Sequence, residues 1–159
     1  MGVHVGVQRS AKEQALLRLN AREYAAGEMK SYLKRKGYEA AEISEVVETL
    51  VAEGLISDER YSRVIARNSS GRSKGPGYIR MKLRQKGVQL SPEEARTLFQ
   101  ENSSESESDL ALRLLRSRYP RAHESPKERQ RAYQGLIRRG ISHEIAQLCL
   151  RIPIEPASD

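Results

Sequence analysis

One short word recurs along this chain: leucine, two residues, a basic residue, glycine. It is built from Leu33, Lys36 and Gly37, then from Leu83, Lys86 and Gly87, then from Leu136, Arg139 and Gly140. The glycines stand 50 and 53 residues apart. An apolar residue follows each (Tyr38, Val88, Ile141), and then a helical triplet: Ile43, Val46, Val47; Ala95, Leu98, Phe99; Ile145, Leu148, Cys149. A period of this size marks one supersecondary unit used repeatedly, each copy burying its apolar face against its neighbours. Composition agrees, because 38% apolar residues, one Phe and no Trp supply too little bulky material for a single thick core.

Apolar spacing is helical throughout and nowhere alternates at strand period, so the fold expected is all-α, with three tandem three-helix repeats. Expected boundaries are a flexible stretch over 1–9, repeats over 10–54, 55–102 and 103–152, and a tail over 153–159. Gly37, Gly54, Gly87 and Gly140 stop helices at left-handed cap positions. Ser91-Pro92-Glu93-Glu94 and Ser125-Pro126-Lys127-Glu128 both start helices, with a serine cap, proline in the first turn and glutamate three residues on. Tyr61, Val64 and Ile65 are expected to face inward, as are Val51 and Leu148. Residues 68–77, rich in Ser and Gly, and the acidic residues 101–109 are expected to be loose connections; the second has two readings, a competitor with nucleic acid for basic side chains and a solvated linker, of which the linker is the simpler.

Charge is unevenly placed. Residues 60–92 hold nine basic side chains and no acidic one, leaving 19 basic against 21 acidic residues elsewhere in a chain of net charge +7. A run of one sign with no interleaved carboxylate attracts polyanions, of which phosphate backbones are the common kind. Between Tyr78 and Lys86, Ile79 and Leu83 form an inward stripe, flanked by a row of Arg80 and Arg84 and a row of Lys82 and Lys86. Arg67, Arg72 and Lys74 precede this helix. The expected DNA- or protein-contacting set is therefore Arg67, Arg72, Lys74, Tyr78, Arg80, Lys82, Arg84 and Lys86. Tyr78 has two roles open to it, packing or stacking on a base, and packing is the commoner.

No catalytic constellation is present in the sequence. His4, His123 and His143 are scattered, and His143 and Cys149 fall on opposing faces of one helix. Residues 71–75 lack the spacing of a nucleotide-binding phosphate loop, and the basic segment has no carboxylate to hold a nuclease metal. The reading is a binding protein rather than an enzyme, with no cofactor and no metal. Cys149 is the single cysteine, and no apolar run nears the roughly 18 residues that span a bilayer, so the expected setting is cytoplasmic, with no membrane partner.

The chain resembles the RecX family of bacterial RecA regulators over roughly residues 11–152. The resemblance is carried by Glu53-Gly54-Leu55-Ile56-Ser57-Asp58-Glu59-Arg60-Tyr61, then Lys74-Gly75-Pro76, Ile79, Leu83 and Lys86-Gly87, with Arg22-Glu23-Tyr24 and Glu28 matching the opening of the first repeat. It implies an elongated, curved array; arrays of this kind are often monomers, and a monomer is the expectation. It also implies binding to the filament that RecA forms on single-stranded DNA, and modulation, mainly inhibition, of RecA ATPase, recombinase and coprotease activity in DNA repair and the SOS response. Some members bind DNA directly, double-stranded DNA included, and no nucleotide or metal is implied. Two positions depart from the family pattern: Ala25 replaces a frequent capping Ser, and Lys82 replaces a frequent Glu, making the central helix more basic. The competing reading is a helix-turn-helix transcription regulator, but only Gln85 on that helix suits base-edge recognition.

Overall fold

A computed structural model describes residues 7–155, and within them the chain forms nine helices and no strand. They are α1 (Ala11–Leu19), α2 (Ala26–Arg35), α3 (Ala40–Ala52), α4 (Asp58–Gly71), α5 (Pro76–Gln85), α6 (Pro92–Asn102), α7 (Glu107–Arg118), α8 (Pro126–Arg138) and α9 (His143–Cys149). The helical periodicity of the sequence is thus realised in an all-α chain. It divides into two compact units: one runs to Tyr61 and includes Lys86–Val88, and the other holds Ser62–Gln85 and everything from Gln89 onward.

The repeated word is a helix-stop device. Gly37, Gly54, Gly87 and Gly140 all have positive φ, between 73° and 91°, which a residue without Cβ adopts without strain. At the end of α2, the Gly37 amide donates to the Lys34 carbonyl and the Tyr38 amide donates back to Leu33. The end of α8 repeats this, with Gly140 donating to Ile137 and Ile141 donating to Leu136. This is a Schellman closure, in which the leucine and the apolar residue after the glycine take paired positions. The basic residue before the glycine sits at the negative end of the helix dipole.

In the first unit, α1, α2 and α3 enclose Ala15, Met29, Leu33, Val47 and Leu50, all at most 2% exposed. Ser10 and Glu13 form a reciprocal capping box on α1. Ala25 gives α2 no side-chain cap. Asp58 supplies one instead, accepting from the Ala26 amide at 2.8 Å. The first residue of α4 therefore stands in for the cap that Ala25 does not supply.

In the second unit α5 packs on α6, and α7, α8 and α9 pack on one another. Ile79, Leu83, Ala95 and Phe99 are buried in the former, and Leu110, Leu114, Leu115, Leu136 and Leu150 in the latter. Ser91 and Glu94 make a full capping box, while Ser125 accepts from the Glu128 amide. Both serines cap their helices, and the reciprocal glutamate bond is formed at Ser91 but not at Ser125.

Several expectations need correction. Residues 68–71 are helical, because α4 runs to Gly71, and the turn after it is fastened: the Lys74 amide donates to Ser69, and Ser73 accepts from Arg113 and Arg139. The acidic connection shrinks to four residues, since α6 reaches Asn102 and α7 starts at Glu107. Glu105 within it pairs with Arg113, and Glu107, buried at the start of α7, accepts from the Ser142 amide. Val64 is 37% exposed rather than inward, because α4 turns Tyr61, Ala66 and Ser69 to the interior. Leu148 is 53% exposed, because short α9 buries Ala146, Cys149 and Leu150 instead. Val51 is also largely exposed, on the last turn of α3.

Candidate nucleic-acid interface

Seven of the eight expected residues lie in the second unit, all but Lys86, and six of the seven are cations whose charge is uncompensated. Among the described residues, no carboxylate pairs with Arg67, Arg72, Lys74, Arg80, Lys82 or Arg84. The carboxylates of this unit that form ion pairs meet Arg113, Arg121 and Arg131 instead. The inward stripe of α5 holds as expected, with Ile79 and Leu83 fully buried, so its cations are left to the flanks.

Lys74, Tyr78 and Lys82 come together. The Lys74 ammonium lies 4.8 Å and that of Lys82 5.5 Å from the centre of the Tyr78 ring, which is half-buried. The electron-rich ring face offsets the repulsion between the two ammonium groups and keeps both close to one spot. That contact makes Tyr78 an organiser of positive charge. Arg80 is exposed but tethered, its Nε donating to the Leu90 carbonyl at 2.7 Å, which leaves the end of its guanidinium for other contacts. Arg67, Arg72 and Arg84 are exposed. Ser73, the one non-glycine residue at positive φ (57°) among the described residues, fixes the turn that carries Arg72 and Lys74.

The first turn of α5 is closed to anions. The Gly75 amide donates to Arg139 at 2.7 Å and the Gly77 amide to Gly140 at 2.8 Å. The orphan donors of one helix start thus meet the orphan carbonyls of another helix end, with dipoles aligned head to tail. The approach needs glycine on both sides: a Cβ on Gly75 would lie 2.7 Å from the Gly140 oxygen, and one on Gly140 would lie 2.2 Å from the Tyr78 nitrogen.

Lys86 has a different environment. It belongs with the first unit, where its Nζ lies 3.0 Å from Glu28. Arg22 grips the same carboxylate through two hydrogen bonds, at 2.8 and 3.0 Å. Burial pushes Glu28 up, but the hydrogen bonds from Arg22 and Lys86 outweigh it and hold its carboxyl below the ordinary carboxylate range. Arg60, also within the basic run, pairs with Glu23 at 2.9 Å and reaches the Gly54 carbonyl. These anchors are what charge counting missed; only the far-off Glu23 and Glu28 could have signalled them. Among the described residues no group of three or more His, Cys, Asp or Glu is placed to hold a metal ion, and no helix is long and apolar enough to cross a membrane.

Comparison with known proteins agrees along the length of the chain. Residues 11–50, 57–89 and 105–150 match the family models described as the RecX first, second and third three-helix domains. A protein named regulatory protein RecX from Bacillus cytotoxicus is 33% identical over 141 residues, covering 86% of this chain and 51% of that one. Another of that name from Chromohalobacter salexigens is 28% identical, covering 86% and 88% of the two chains. The chain thus spans about half the length of the first relative and most of the second. A crystal structure of regulatory protein RecX superposes with a TM-score of 0.72 at 23% identity, covering 89% of this chain and 70% of that one, which speaks for the fold.

Proposed function

Since the chain belongs to the RecX family of regulatory proteins, we propose that it binds the RecA filament on single-stranded DNA and restrains it, lowering ATP hydrolysis and strand exchange in DNA repair and the SOS response. The observation that carries this reading is the set of six cations, Arg67 to Arg84, left without carboxylate partners on and between α4 and α5, two of which meet at Tyr78. Arg72, Lys74, Lys82 and Arg84 supply charge to phosphate, and the free end of Arg80 offers a fork to phosphate or to a carboxylate. The protein acts by contact as a non-catalytic cytoplasmic monomer, with no bond made or broken. Lys86 supports the interface through its own packing rather than through free charge.

The test is a titration into RecA on single-stranded DNA, reading ATP hydrolysis. The expected outcome is inhibition at or below equal ratios, abolished when Arg67, Arg72 and Arg84 are all reversed to Glu with helicity unchanged. For direct DNA binding with about five phosphates contacted, log affinity falls against log salt with a slope of roughly −3.5 to −4.5. A flat ATPase titration removes the filament reading, and a slope near zero removes these cations from the DNA contact.

A further inference from the structure

The second unit carries a cleft of about 640 Å³ between the first half of α5, the start of α6 and the segment joining α8 to α9. Its apolar lining includes Pro76, Met81, Pro92, Ile137 and Ile141. Met81 is 44% exposed there, an unbranched thioether left on the surface. Arg80, Arg96 and Arg138 stand at the rim, all exposed, against a single carboxylate, Glu144. Arg96 and Arg138 pair with no carboxylate among the described residues.

We infer that this cleft takes an acidic peptide segment of a partner protein, one that carries an apolar anchor between carboxylates. The volume fits a few side chains. Methionine adapts its shape to such anchors, and arginine pairs with carboxylates through two parallel hydrogen bonds. Nucleic acid fits the cleft less well. Its bases stack on open aromatic faces, whereas the Tyr78 ring, the tyrosine of the lining, already has Lys74 and Lys82 over it. Glu144 gives the cleft a direction, because the carboxylates of the segment lie toward the arginines and away from α9. Peptide capture here does not require the filament reading, because Met81, Arg96 and Arg138 lie outside the proposed phosphate-contacting set; Arg80 belongs to both sets, and the variants of both tests leave it unchanged.

The probe is a short fluorescent peptide of Asp and Glu with two leucines four residues apart, titrated into the full chain and followed by anisotropy. Saturable binding is expected, weakened about tenfold or more by Met81→Asp and by the pair Arg96→Glu, Arg138→Glu. The Arg67, Arg72 and Arg84 reversals leave it intact, and excess oligothymidylate does not displace the peptide. Helicity of each variant is checked by circular dichroism, and the two cleft variants disturb different parts of the site, so loss in both is not a folding artefact. Absence of binding overturns the proposal. So does equal binding of a peptide with serines in place of the leucines, retention of binding in the cleft variants, or displacement by oligothymidylate.

Discussion

In the first unit, Arg22 and Lys86 close on Glu28, Arg60 closes on Glu23, and Lys12 approaches Glu53. In the second, six cations from Arg67 to Arg84 meet no carboxylate among the described residues. Both regions draw on one basic run in the sequence. The difference teaches that a stretch of like charge can be split between two duties. A guanidinium or ammonium that finds a buried carboxylate becomes part of the packing, and one that finds none keeps its field for a partner.

A close backbone approach inside each unit offers the strongest way to break that comparison. Gly140→Ala in the second unit imposes a Cβ on a residue at φ 87° and drives it to 2.2 Å from the Tyr78 nitrogen. A loss of about 3 kcal/mol or more is expected in urea unfolding. Gly27→Ala in the first unit has no positive φ to strain, and its Cβ meets the Lys86 oxygen at 2.8 Å and the Gly87 Cα at 3.4 Å, so about 1–2 kcal/mol is expected. Equal losses would show that the two approaches bear the same strain, against the structure.

Glu28→Gln sharpens the electrostatic side. The carboxylate is 8% exposed, but both its cations are nearly half-exposed and can rehydrate, so about 1–2 kcal/mol of stability is expected to go at neutral pH. The folded-state pKa of Glu28 is depressed, so its contribution is present above the unfolded carboxylate value, about 4.3, and is lost as pH falls through the lower folded value. Melts taken from neutral pH down into this range should converge for wild type and variant. A constant gap between them would remove Glu28 as the acid-sensitive group.

The smallest expected effect concerns the cap that Asp58 lends to α2. Asp58→Ala leaves the Ala26 amide without its acceptor and should cost about 1 kcal/mol. Ala25→Ser, which restores a local cap, should recover part of that loss in the double variant, measured by the same melts. No recovery would mean that Asp58 acts through something other than the α2 start.

Much of the fold was legible in residue order. The thrice-repeated word, the serine-proline-glutamate starts and the apolar triplets are local signals, and they become positive-φ glycine stops, capped starts and largely buried faces. The candidate site was legible as a set of residues, Arg67 to Lys86, but not in its internal division. Misreadings came where local composition was outvoted. Ser and Gly at 68–71 continue a helix because α4 buries Ser69, and Leu148 stays exposed because a seven-residue helix has little room on its buried face.

Sequence alone determined that the chain is helical, repeated and cationic at its centre, because periodicity, caps and charge are properties of neighbours along the chain. Only the tertiary structure decided that Lys86 and Arg60 are anchors, that Tyr78 gathers Lys74 and Lys82, and that the start of α5 is closed by Arg139 and Gly140. Each of those outcomes, apart from the Tyr78 cluster, depends on a group more than thirty residues away. The Tyr78 cluster depends on side-chain direction around one turn, and neither distance in space nor direction is written in the order of the residues.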